Sequence, residues 1–171
     1  MGVSSDALIA LAVSSASPGS ITVAHLCPRC GATDHGRPAV VGVDGEALPW
    51  DVSFSRTPRS AVAASTSEGR VGIDIESTAL IARHSVVDAL LHKGEAVTSA
   101  RDVARLWVAK EALLKATGDG LNIDLREIKL EVSGSRAIVK TWQPGHPVPD
   151  STITFFELSD DVVGALALIR P

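Results

Sequence analysis

The order of local patterns along the chain predicts an α+β fold rather than a wound parallel sheet. Short apolar, β-branched runs cut by turn chemistry fill residues 1–69, two helical stretches follow Arg70–Ile75, and four more strand-like runs close the chain.

In the first part, Ala7–Val13 reads as a buried strand, followed by Ile21–Leu26 and Pro38–Val43. Ser14–Ser20 and Asp44–Gly45 carry turn chemistry between them. Val52–Ser55 and Ala61–Ser65 read as a hairpin joined by Thr57-Pro58-Arg59-Ser60. Arg70–Ile75 is a further strand, and no helix is expected before it. Ala79–His92 and Ser99–Thr117 have Leu, Ala, Arg and Lys in place of Gly and Pro, so both read as helices, the second stopped by Gly118. Glu127–Val132, Arg136–Trp142, Thr152–Leu158 and Val162–Ile169 are strands, with turns at Ser133-Gly134-Ser135 and Ser159-Asp160-Asp161.

A chain of 171 residues suits one compact domain, here with a shortened first half, 1–69, and a second half, 70–171. The 45% hydrophobic and 21% charged content is that of a soluble globular protein. With three Phe and no Tyr, its core must be mostly aliphatic. A formal charge of −4 gives no electrostatic footprint for nucleic acid. The longest apolar run, Val162–Ile169, is far below the roughly 20 residues that cross a bilayer, so no membrane association is expected. Asp6 precedes the first apolar stretch and Arg29 is the first basic side chain, which argues against a secretory leader and for a cytoplasmic protein. One Cys-x-x-Cys pair is not a disulfide framework and fits a reducing compartment.

The chemistry-bearing residues fall in two places. In Gly72-Ile73-Asp74-Ile75-Glu76, strand alternation puts Asp74 and Glu76 on one face and Val71, Ile73 and Ile75 on the other. Two neighbouring carboxylates repel unless a cation lies between them, and hard oxygen donors suit Mg²⁺. Taken alone, the pair fits a solvated strand edge, since alternating acids on strands are common. In Trp107-Val108-Ala109-Lys110-Glu111-Ala112-Leu113-Leu114-Lys115, a helix stacks Trp107, Glu111 and Lys115 one above the other, with Lys110 on the flank. Alone, Glu111 with Lys115 also fits an ordinary surface pair. Together, Asp74, Glu76 and Glu111 offer three oxygens to one metal, with Lys110 and Lys115 beside a bridged pyrophosphate.

These two segments, at this separation, resemble the paired motifs of the 4'-phosphopantetheinyl transferases: Gly-[Ile/Val]-Asp-x-Glu, then Trp-x-x-Lys-Glu-Ala-x-x-Lys. Asp34-His35-Gly36-Arg37-Pro38 looks like the Gly-Arg-Pro element of the monomeric, surfactin-synthetase-activating type. The resemblance spans roughly Cys27 to Leu121. It implies two pseudo-symmetric α+β halves, the first truncated here. It also implies transfer of the phosphopantetheine arm of coenzyme A to a serine of an apo acyl or peptidyl carrier protein, with release of 3',5'-ADP. The implied metal is Mg²⁺, with Mn²⁺ the alternative, held by Asp74, Glu76 and Glu111. Lys115 would stabilise the leaving nucleotide, Lys110 would contact phosphate, Arg37 would contact the nucleotide end of coenzyme A, and Glu111 would take the serine proton.

The chain departs from that pattern in two places. Many members carry Ser-His-Ser, whose histidine meets the 3'-phosphate; here the stretch is Ser53-Phe54-Ser55-Arg56, and Arg56 is the substitute, or else a turn-flanking surface charge. The first half also lacks its expected helix, so its sheet would be trimmed or covered by a second subunit, leaving monomer and dimer both open. The rival readings are a degenerate relative that binds coenzyme A or a carrier protein without transfer, and a plain metal-binding structural protein. Cys27-Pro28-Arg29-Cys30, with His25 and His35, is half of a zinc site or two thiols in a tight turn. His84, His92 and His146 have no telling spacing, Glu95 reads as a helix-cap charge, and Trp50 and Trp142 read as core or rim.

Overall fold

Nine strands and four α-helices make up the fold among the residues that the computed structural model describes, 3–15, 19–27, 30–33, 35–82 and 86–170. Part of the Ser14–Ser20 turn, residues 28–29, Asp34, His84 and the middle of the expected helix Ala79–His92 lie outside them.

The chain opens on helix α1, Ser5–Ser14, not on the strand expected over Ala7–Val13. Ser4 caps it, its side chain accepting from Ala7 N at 3.2 Å, and Asp6 lies in the first turn, where the helix dipole favours an acid. An apolar run of Ala, Leu, Ile and Val fits either element, and packing settles it: Ile9 and Val13 are fully buried while Leu11 is exposed. The expectation of a first half without a helix is therefore corrected. Helix α1 covers the hairpin of β3, Asp51–Arg56, and β4, Ala61–Thr66, and touches β1, Thr22–Leu26. β1 pairs with β2, Arg37–Val41. Ile9, Val13, Val40 and Val52 form the core of this part, with Trp50 and Phe54 packed against it.

The second part is a five-stranded antiparallel sheet in the order β5-β9-β8-β7-β6. These strands are β5, Arg70–Ser77; β6, Lys129–Ser133; β7, Arg136–Thr141; β8, Ser151–Glu157; and β9, Val162–Ile169. Among its described residues the expected helix Ala79–His92 gives two single turns, α2, Thr78–Ile81, and α3, Val87–Leu90. Helix α4, Ala100–Thr117, matches its expectation closely, capped by Ser99 and ended by Gly118 at φ +83°. It lies across β5 and β9 and buries a face of Ala, Val and Leu in an aliphatic core that Trp142 joins. Gly118 is favoured by its left-handed conformation, and the ends of the Arg70 and Arg37 side chains pack over it.

The two parts meet along a seam of side-chain oxygens. β9 takes one edge of β5; along the other, Val71 N donates to Asp51 Oδ2 at 2.6 Å, Ile73 N to Ser53 Oγ at 3.0 Å and Ile75 N to Ser55 Oγ at 3.2 Å. Alternation along β3 places these three oxygens at the same spacing as alternate amides of β5, so the strand's unpaired donors are satisfied without a backbone ladder.

Candidate active site

Strand β5 faces helix α4 through Gly72, Asp74 and Glu76. At Gly72 an added Cβ would fall 1.9 Å from Ala112 O and 2.6 Å from Ala116 N, so only glycine lets the strand lie this close to the helix backbone. Two residues along, the gap widens enough for a side chain, and Asp74 enters it at 7% exposure. The alternation expected of the strand holds, but Asp74 is packed against the helix and is not a solvated edge.

Asp74 Oδ1 accepts from Lys115 Nζ at 2.7 Å and from Ser55 Oγ at 2.7 Å. Lys115 also donates to Ile73 O at 3.1 Å and Phe54 O at 3.3 Å, so one ammonium joins α4, β5 and β3. Glu111, one turn before Lys115, is half-buried. Burial pushes its carboxyl above the ordinary value, the charge of Asp74 pushes it the same way, and Lys115 pulls against both. Two acids thus share one lysine in a partly dry place, a donor set short of positive charge.

Glu76 lies further along, beside Trp107, Leu80, Ile81 and Val86, and its Oε1 accepts from Ser77 N at 2.8 Å. Among the described residues, Asp74, Glu76 and Glu111 do not bring their oxygens within 4.8 Å of one another; Cys27, Cys30 and His35 do bring their ligand atoms that close. Glu76 and Asp74 each have their own local partners: Glu76 accepts from Ser77 N, and Asp74 accepts from Lys115 and Ser55.

Lys115 lines a cleft of about 470 Å³, a size suited to a small-molecule ligand. Arg37 and Arg56 line it too, with Phe54, His25 and Gly118. Arg37 Nη2 forks onto Asp51 at 2.7 and 2.8 Å, while its Nη1 is buried with no hydrogen-bond partner. Arg56 is exposed at the end of β3. Three cationic side chains drawn from β2, β3 and α4 therefore border one cleft, and one has an unsatisfied donor.

Residues 70–167, more than half of the chain, match the family model of the 4'-phosphopantetheinyl transferase superfamily. The chain belongs to that superfamily. The match runs from the first residue of β5 into β9 and contains both motifs; α1 and β1 to β4 lie outside it. A search among curated proteins gave no match.

In this superfamily member, Lys110 departs from its expected place beside phosphate. It is fully buried, and its three protons go to Glu95 Oε2 at 2.6 Å, Leu90 O at 2.7 Å and Leu125 O at 3.1 Å. Burial pulls its ammonium below the usual lysine range and Glu95 opposes the shift. The flank position on α4 points into the core rather than toward β5, which is why Lys110 and Lys115 part company. Glu95 is correspondingly more than a helix-cap charge: it also accepts from His92 N at 2.9 Å and Leu130 N at 2.7 Å, tying the segment before α4 to β6. Its signal in the sequence was indirect, since a lysine inside an apolar helix face demands a buried acid. The oxygens of Asp51, Ser53 and Ser55 were also missed, although their two-residue spacing was visible.

Proposed function

We propose that this protein is a 4'-phosphopantetheinyl transferase of the surfactin-synthetase-activating type, moving the phosphopantetheine arm of coenzyme A to a serine of an apo acyl or peptidyl carrier protein. The observation that carries the reading is the meeting of Asp74, Glu111 and Lys115 at the edge of a cleft bordered by Arg37 and Arg56.

The chemistry of the donor set fits a divalent cation, because two acids with one lysine between them are under-compensated. Asp74, Glu76 and Glu111 would hold Mg²⁺, with Mn²⁺ the alternative, and the bound ion supplies positive charge to the pyrophosphate. Arg37, with its unpartnered Nη1, holds the nucleotide end of coenzyme A. Arg56 meets the 3'-phosphate in place of the histidine other members use. Lys115 would stabilise the charge that builds on the departing 3',5'-ADP. The carrier serine oxygen attacks the β-phosphorus, the bond to the bridging oxygen breaks, and 3',5'-ADP leaves with that oxygen. Glu111 accepts the serine proton. Lys110 acts at a distance, by holding α4 in register through Glu95.

The test is a carrier-protein mass shift. Mixed with coenzyme A, Mg²⁺ and a panel of apo carriers, the protein adds the phosphopantetheine mass to at least one of them. Asp74→Asn and Glu111→Gln abolish the gain. Binding of coenzyme A without any mass gain across the panel would turn the reading toward a non-catalytic relative, and near-wild-type turnover of either variant would refute the metal assignment.

A further inference from the structure

The loop joining β1 to β2 carries donors that the transferase chemistry leaves unused. Cys27, Cys30 and His35 bring their ligand atoms to within 4.8 Å of one another, and Cys30 Sγ lies 3.3 Å from His35 Nε2. A tetrahedral zinc ion, with Zn–S about 2.3 Å and Zn–N about 2.0 Å, sets its sulfur and nitrogen ligands roughly 3.5 Å apart, the same scale.

Two backbone hydrogen bonds tie the described residues beside these donors together. Gly31 N donates to Cys27 O at 2.8 Å, and Cys27 N donates to Ala32 O at 2.9 Å. Gly31 takes φ +71°, a left-handed turn directly after the second cysteine that sends the chain back toward the first. The two sulfurs are thiols rather than a disulfide. Cys30 and His35 are exposed, so an ion reaches the site without unfolding.

We propose that Cys27, Cys30 and His35 bind a zinc ion through two thiolates and one neutral imidazole, the fourth position being open to water or an external ligand. On binding, two sulfur–metal bonds and one nitrogen–metal bond form, and the two thiol protons pass to solvent. The site is chemically separate from the acid cluster of β5 and α4: sulfur and imidazole select a borderline-soft ion, whereas carboxylates select Mg²⁺. The ion clips the loop that runs into Gly36 and Arg37, and so steadies the guanidinium at the cleft. That last consequence rests on the transferase reading, whereas the metal site does not.

The experiment uses the full, untagged chain stripped with chelator and titrated with Co²⁺, which reports thiolate ligation by a sulfur-to-cobalt charge-transfer band. The expected result is saturation near one equivalent per chain and displacement of the band by Zn²⁺. Cys30→Ser and, separately, His35→Asn should reduce the band to near background. Should a variant fail to fold, native mass spectrometry of the wild type decides the point, with one zinc mass present before chelation and gone after it. Cobalt bound without a thiolate band, a band surviving Cys30→Ser, or no zinc mass would overturn the proposal. None of these readouts depends on transferase activity, so failure of one reading leaves the other standing.

Discussion

Gly72 and Ala112 approach so closely that a methyl group on Gly72 would lie 1.9 Å from the Ala112 carbonyl oxygen. The glycine that opens the first motif is thus a spacer between strand and helix, and its absent side chain brings Asp74 within reach of Lys115. Gly72→Ala must push backbone against backbone, so it should cost on the order of 3 kcal/mol or more and lower carrier modification with it. Urea unfolding checks this; an unchanged midpoint with full activity would contradict the close packing.

Lys115→Met removes the ammonium shared by Asp74 and Glu111. Two acids then face each other uncompensated, with a loss of about 1–3 kcal/mol in the metal-free protein. Added Mg²⁺ should raise the melting temperature of this variant more than that of the wild type. Equal shifts would show that the acids are not competing for one positive charge.

Lys110 offers a contrast within the same helix. Lys110→Met strands Glu95 as a buried, unpaired charge, and about 3–5 kcal/mol should be lost. The double change Lys110→Met with Glu95→Gln should recover part of it, as a double-mutant cycle in denaturant would read. A raised KM for coenzyme A at unchanged stability would instead put Lys110 on phosphate.

Glu111 gives the protein a signed pH dependence. Its carboxyl is raised in the folded state from 4.5, first by burial and then by Asp74. The folded chain therefore holds this proton more tightly than the unfolded chain. This group's contribution falls as pH rises from about 4.5 through the raised value and is constant above it. Glu111→Gln should gain stability relative to wild type across that window when no divalent cation is present. A stability difference that stays flat with pH would show that burial and Asp74 do not raise this carboxyl.

Arg56 is tested by comparing coenzyme A with 3'-dephospho-coenzyme A. Arg56→Ala should weaken binding of the first by roughly ten-fold, the loss of one charge-assisted contact, and leave the second little changed. Equal weakening of both would place the side chain away from the 3'-phosphate.

Much of the second part was legible because its signals are local. Ser99 and Gly118 bracket α4, and the strands from Arg136 to Ile169 alternate and turn where serine, glycine and aspartate require. The first part was harder to read. Ala7–Val13 has no polar stripe to betray a 3.6-residue period, so only Ser4 and Asp6 announced the helix. Ala79–His92 has helical composition but gives only two single turns among its described residues.

The sequence alone determined the chemistry on offer: two acids at strand spacing, and an acid and a lysine one helical turn apart. It could not say which lysine meets which acid, because partners come from segments distant along the chain. Packing decided that. It turned Lys110 inward to Glu95 and Lys115 across to Asp74, since a buried ammonium must find acceptors and the two positions on α4 look in different directions.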